Sequence, residues 1–265
     1  MNEDPINEDP INEARQHNRI IAVCGKGGVG KTSVSALLTK ILTEAGNRKV
    51  LAIDADPAVG LSLSLGISVA KTVDDIRNAL IEKAKEGFQE DRREMIAKID
   101  YELFDALEER KNLAFLAIGR PETDGCFCRI NSLLKDIIHD ISDNFDDVVI
   151  DGEAGIEQVN RRVMERVTHL LLVSDTSVKG CNVAESIEKV ARGSIRYEKV
   201  GLLLNRVKRE EEVERVRNRY SLPVIGWMPE DPTLYEFDRE SRSLMEMPEC
   251  NALLSFRKTL GWLER

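Results

Sequence analysis

The run Gly25-Lys26-Gly27-Gly28-Val29-Gly30-Lys31-Thr32 sits between a short apolar stretch, Ile20–Cys24, and a stretch with helical patterning, Lys31–Glu44. Strand, glycine-rich loop and helix in that order satisfy G-x-x-x-x-G-K-[ST]. The glycines let the backbone wrap closely, so that successive N–H groups point at phosphate oxygens, and the helix adds its positive end. Lys31 is placed to neutralise β- and γ-phosphates, and the Thr32 hydroxyl to ligate Mg²⁺. Gly25 to Thr32, with Ser33 next on the helix, are therefore the candidate nucleotide-binding residues. A loop of this kind belongs to an open sheet that collects ligands at the carboxyl ends of its strands.

The rest of the chain agrees. Further apolar runs occur at Val50–Asp54, Leu113–Ile118, Val148–Asp151, Leu170–Ser174, Val200–Leu204 and Val224–Trp227. They are short and several are apolar at consecutive positions, as in strands buried on both faces. Helical patterns lie between them at Val73–Arg110, Ile130–Ser142, Gln158–Val167, Asn182–Arg192 and Glu210–Tyr220, with a last helix over Asn251–Leu263. The alternation predicts an α/β fold: a doubly wound, mainly parallel sheet with helices on both faces. No Pro/Gly/Ser linker divides residues 19–265, which are expected to form a single domain. Residues 1–18 carry a tandem NEDPI and are expected to be a disordered acidic arm.

Charge and cysteine usage narrow the function classes. A net charge of −9 argues against nucleic acid as the main partner. No apolar run reaches the roughly 20 residues that span a bilayer, and the polar start is unlike a signal peptide. A cytoplasmic protein without membrane attachment is expected. The five cysteines then sit in a reducing compartment, and an odd number fits no closed disulfide framework.

Three further features carry chemistry. Lys26, a second lysine in the loop, is expected to point away from its own phosphates, where a cation can act on a neighbour's nucleotide. The run Val148-Val149-Ile150-Asp151 is apolar and closed by an acid, which suits a carboxylate positioning magnesium-bound water. Cys126 and Cys128 would project together from extended chain. Two thiolates supply half of a tetrahedral site, and a two-fold axis would complete it. Cys24, Cys181 and Cys250 have no partner at ligand spacing and read as structural.

The loop G-K-G-G-V-G-K-T resembles the deviant phosphate loop of the family that includes the nitrogenase iron protein and the cell-division and plasmid-partition ATPases. That resemblance implies ATP or ADP with Mg²⁺, and a homodimer in which Lys26 crosses to the partner's phosphates. It implies Asp54 in the magnesium shell together with Thr32 and Asp151, Asp56 in water activation, and Gly152–Gly155 as a switch. It also implies adenine contacts at Asn205 and in Met228-Pro229-Glu230-Asp231, of which Pro229 and Asp231 are singled out. The segments Arg120-Pro121…Gly125-Cys126-Phe127-Cys128 and Asp151-Gly152-Glu153-Ala154-Gly155-Ile156-Glu157, with Arg161-Arg162, resemble the CooC-type accessory ATPases over most of Ile20 to Asp231. The metal-binding C-x-C of that family falls on Cys126 and Cys128. It implies Ni²⁺ or Zn²⁺ at the dimer interface and a carbon monoxide dehydrogenase-type client. Two alternatives are an iron–sulfur electron carrier and a membrane- or DNA-positioning ATPase.

Overall fold

The computed structural model describes residues 18–85, 92–120, 128–152, 156, 159 and 163–264, with backbone only at 84, 85, 92, 93, 95, 128 and 129. Eight strands form one sheet: β1 Arg19–Gly25, β2 Val50–Asp54, β3 Glu108–Arg110, β4 Leu113–Ala117, β5 Asp147–Asp151, β6 His169–Ser174, β7 Lys199–Val207 and β8 Val224–Pro229. Their order is β3-β4-β2-β5-β1-β6-β7-β8. Every pairing is parallel except that of β3 with β4.

Alternate side chains of one strand leave on opposite faces, and here both faces are covered. Ile20, Ala22 and Cys24 of β1 enter one core while Ile21 and Val23 enter the other. The first core is closed by α3 (Val73–Lys85), α4 (Arg92–Asp105), α5 (Cys128–Ser142), α6 (Val178–Ser194) and α7 (Glu210–Arg219). The second is closed by α1 (Lys31–Glu44), α2 (Gly60–Leu65), α8 (Pro232–Arg239) and α9 (Asn251–Thr259). A final short helix, α10 (Gly261–Glu264), follows. This is the doubly wound sheet expected from the apolar runs.

The differences from expectation have local causes. The charged stretch Val73–Arg110 is two helices and a strand, not one helix. Its last part, β3, is three polar residues long and lies at the sheet edge, where a short charged strand resists further pairing. The C-terminal pattern Asn251–Leu263 breaks before Gly261 into two helices. Helices α2 and α8 have no counterpart in the sequence reading, because each is too short to show a period. Of the expected helix Gln158–Val167, residues 158 and 160–162 lie outside the described residues, while 163–167 are not helical: Arg166 pairs with Arg196 in an isolated parallel bridge that leads into β6. Residues 1–17 of the expected acidic arm also lie outside them.

Candidate nucleotide site

The loop between β1 and α1 is built on close approach and backbone freedom. A Cβ at Gly25 would sit 2.2 Å from the Val173 carbonyl oxygen of β6, so no side chain fits there. Gly28 and Gly30 take φ of +82° and +91°, in the left-handed region that favours glycine. Gly30 caps α1 without a side-chain hydrogen bond. The first N–H groups of that helix are thus left for the loop and a ligand. Gly27 and Gly28 face open space.

Asn205 and Arg206, at the end of β7, hold the loop from the side. The Asn205 Nδ2 donates to the Val29 carbonyl at 2.8 Å, and Arg206 Nη1 donates to the Gly28 carbonyl at 3.1 Å. The Asn205 Oδ1 in turn accepts from the Arg206 N–H at 2.9 Å. Arg206 has φ of +57°, an uncommon conformation for a non-glycine residue, where the β7–β8 pairing is irregular. The sequence reading missed Arg206.

Three carboxylates converge beside the loop. Asp54 and Asp151 are register partners at the carboxyl ends of adjacent strands β2 and β5. Both are buried. Burial, then the charge of Asp151, pushes the Asp54 carboxyl up to about 7. Burial pushes Asp151 up to about 6, against the opposing hydrogen bonds of Thr32 and Ser35 and the nearby Lys31 charge. The Ser35 hydroxyl donates to Asp151 Oδ1 at 2.9 Å, while Oδ2 is buried without a hydrogen-bond partner among the described residues. Ser35 was also missed, although it lies three residues beyond Thr32 and so on the same helix face.

That orphaned oxygen is the observation against which a magnesium ion can be tested. Mutually repelling carboxylates, an unpaired buried oxygen and the Thr32 hydroxyl form an oxygen donor set that suits a hard divalent cation. Asp54 is committed differently: its Oδ1 accepts from the Asp56 N–H at 3.1 Å and its Oδ2 from the Leu61 N–H at 2.8 Å. These bonds fold the Asp54–Leu61 segment into a tight loop. Val59 there takes φ of +50°, which is strained for a β-branched residue, and Gly60 lies against the Thr32 methyl. Asp56 is half-buried on the same loop, with Oδ1 accepting from the Ala58 N–H at 2.9 Å.

The remaining candidates divide. Lys31 is buried and near enough to Asp151 and Cys24 to lower both pKa values, whereas Lys26 is half-buried at the start of the loop. Pro229 ends β8 opposite Val207, two residues past Asn205. Asp231 is drawn into the framework. Its Oδ1 accepts from the Thr233 and Leu234 N–H groups at the head of α8, and its Oδ2 from the Ala252 N–H of α9. Burial would raise its pKa, but those N–H groups more than offset this and hold the carboxyl below its usual range. Cys24 is fully buried and its thiol is pushed up to about 12, an inert structural cysteine. Cys126 lies outside the described residues. Cys128 is the first residue of α5, two residues earlier than the expected helix start, so the extended-chain argument for parallel thiols does not extend to it.

The pKa shifts give a signed expectation. A carboxyl with a raised folded-state pKa keeps its proton where the unfolded chain has lost it, so its contribution to stability falls as pH rises. Without magnesium or nucleotide, stability should decline between about pH 4 and pH 7 through Asp54 and Asp151. His169, held down at about 4 chiefly by burial, works in the opposite sense. Thermal unfolding of Asp151→Asn beside the native chain at pH 5, 6, 7 and 8 isolates the effect. The variant should gain stability relative to the native chain as pH rises, and Mg²⁺ should stabilise only the native chain.

Comparison with known proteins agrees with this geometry. The family model described as the CobQ/CobB/MinD/ParA nucleotide binding domain matches residues 20–244. An uncharacterised ATP-binding protein of Methanocaldococcus jannaschii is 36% identical over 239 residues, covering 88% of this chain and 92% of that protein. The carbon monoxide dehydrogenase accessory protein CooC of Rhodospirillum rubrum is 26% identical over 246 residues, covering 87% and 91%. In fold, the chain is similar to the septum site-determining protein MinD of Pyrococcus horikoshii, complexed with Mg-ADP. The TM-score is 0.68 at 24% identity, covering 94% of this chain and 96% of that one.

Proposed function

Because the chain belongs to the CobQ/CobB/MinD/ParA family of P-loop ATPases, we propose that it is a magnesium-dependent ATPase that works as a nucleotide-sandwich homodimer and handles a nickel or zinc ion as its cargo. The observation that carries the ATPase part is the unpaired, buried Asp151 Oδ2 beside Thr32 and the phosphate loop. Thr32 and Asp151 would hold Mg²⁺, which would neutralise phosphate charge. The chain does the rest. Backbone N–H groups from Gly27 to Ser33 and the Lys31 ammonium hold the β- and γ-phosphates. Asp56 orients a water whose oxygen forms the new bond to γ-phosphorus. The bond to the β–γ bridging oxygen breaks, its electron pair leaves with ADP, and Asp56 takes the water's proton. Lys26 of each protomer reaches the other's phosphates, and Asn205 with Pro229 borders the base.

Loss of the γ-phosphate would release the Asp54–Leu61 loop and the segment from Gly152, so dimer geometry follows nucleotide state. Cys126 and Cys128 from two protomers would supply four thiolates for the cargo ion. The C-x-C sequence and the similarity to CooC support this part, with a carbon monoxide dehydrogenase-type enzyme as client.

The likeness to MinD and ParA structures supports a second reading, an ATPase that positions cell-division or partition machinery. Such use of a membrane needs a free amphipathic helix. Here Leu253 and Phe256 of α9 are buried in the core and Ala252 is buried beside them, and a Cβ on Gly226 of β8 would lie 1.9 Å from the Thr259 side chain, so α9 is packed onto the sheet. Among the described residues no helix is long and apolar enough to cross a membrane.

Sedimentation and ATP turnover of Lys26→Ala test the sandwich. The native chain should double its mass with ATP and return to single mass with ADP. Lys26→Ala should stay single and turn over at least about a thousandfold more slowly, as loss of a cation supplied in trans requires. Unchanged mass and turnover would rule out the crossed lysine.

A further inference from the structure

Two neighbouring residues of one strand hold the phosphate loop, which regular strand geometry forbids. Successive side chains of a strand leave on opposite faces, so Asn205 and Arg206 of β7 should point apart. Both reach the loop: Asn205 Nδ2 donates to the Val29 carbonyl and Arg206 Nη1 to the Gly28 carbonyl. A bulge makes this possible. Between the register pairs Leu204–Trp227 and Val207–Pro229, β7 carries two residues where β8 carries one. A bulge re-aims a side chain, and Arg206 takes its φ of +57° at this point. The bond from its own N–H to Asn205 Oδ1 ties the two residues together.

That conformation is uncommon for a residue other than glycine, and packing does not repay it. Arg206 is exposed, and its bond to the Gly28 carbonyl lies at the surface. One such bond adds little to folding stability. Strain that the packing does not require points to function.

We propose that Arg206 is a positioning residue for phosphate binding: with Asn205 it forms a clamp that turns the Gly28 and Val29 carbonyls outward and so aims the Val29 and Gly30 amides into the loop. The inference rests on the reading of this loop as the phosphate site. A peptide unit is planar and trans, so the N–H of one residue points opposite the C=O of the residue before it. A Gly28 carbonyl held by Arg206 therefore directs the Val29 N–H away from Arg206, where it meets the Lys26 carbonyl at 3.4 Å. That is long for an N–H···O bond, and a charged phosphate oxygen is the stronger acceptor. A Val29 carbonyl held by Asn205 directs the Gly30 N–H away from Asn205 in the same manner. The clamp also needs Gly30 to lack a side chain, because a Cβ there would lie 2.5 Å from Asn205 Nδ2. Amides fixed before the ligand arrives need no ordering when it binds, which strengthens an anion site.

Arg206→Gly tests the clamp, because glycine accepts the positive φ without strain and the change removes only an exposed side chain. The variant should melt within a few degrees of the native chain. Without nucleotide, amide exchange followed by NMR should be about tenfold faster at Val29 and Gly30, as loss of one hydrogen bond allows, with the centre of α1 unchanged. Mg-ADP should bind about tenfold more weakly, while AMP, which lacks the β-phosphate, should bind as it does to the native chain. Arg206→Lys, which keeps a donor on a long stem, should recover most of the ADP affinity. Equal loss of ADP and AMP affinity would overturn the proposal by placing Arg206 on the base or ribose. Weakened ADP binding with unchanged amide exchange would overturn it by making the guanidinium a direct phosphate ligand. A native chain that binds ADP no better than AMP would overturn the phosphate-loop reading itself, and the clamp with it.

Discussion

Lys31→Ala should lower ATP turnover about a thousandfold while leaving the melting temperature of the nucleotide-free protein within a few degrees. The charge that develops on transferring phosphate is stabilised by preorganised cations and N–H groups, and each such group is worth roughly 10²–10³ in rate. Lys31 is the buried lysine of this loop, whereas Lys26 is half-buried. Its charge also holds down the pKa of Asp151, so the variant's Asp151 should keep its proton to a higher pH. The magnesium dependence of binding should move upward in pH with it. Turnover by the variant within tenfold of the native rate would mean that this lysine does not face the transferred phosphate.

Gly25→Ala should be among the most damaging single methyls at the described glycines. The added carbon would meet the Val173 carbonyl oxygen at 2.2 Å, and Gly25 and Val173 are register partners in the β1–β6 pairing. Backbone atoms locked in a central sheet cannot step aside as a side chain can. The strain should cost about 3 kcal/mol or more, at the upper end of overpacking effects. Gly27→Ala is the control: nothing lies within 4 Å of its Cβ, and its stability should change by about 0.5 kcal/mol or less. Chemical denaturation of the two variants side by side reads the difference. A Gly25→Ala protein as stable as the native chain would mean that β1 and β6 sit farther apart at the loop than described.

The fold was legible where one physical signal dominated. Consecutive apolar positions in Val50–Asp54 and Leu113–Ile118 announced strands covered on both sides, the second ending one residue earlier at Ala117, and Lys31–Glu44 began and ended as its pattern implied. Glu108–Arg110 was illegible because edge strands are selected for charge, which reads as a solvated helix. The phosphate loop and the two acids Asp54 and Asp151 were legible because they close apolar runs. What holds them was not. Asn205 could be found as a strand-end amide, but its bond to the Val29 carbonyl joins residues 176 positions apart. Asp231 was read for its place after a strand, and only three-dimensional packing brings the heads of α8 and α9 to one carboxylate.

Coupling between nucleotide and metal is the centre of the account. If ATP draws two protomers together and brings four thiolates onto one axis, ATP tightens metal binding, and metal must tighten ATP binding by the same factor. The direct measurement is anaerobic metal analysis with sizing of the reduced protein, loaded with Ni²⁺ or Zn²⁺ in the presence of ATP or ADP. It is run beside the Cys126→Ala/Cys128→Ala variant. The account predicts one ion per two chains, a grip that differs between ATP and ADP, and loss of the ion in the variant. Metal content unaffected by the two substitutions, or an ATP-driven dimer that binds no metal, would contradict it and favour the positioning ATPase. Iron with sulfide in place of nickel or zinc would make the chain an electron carrier.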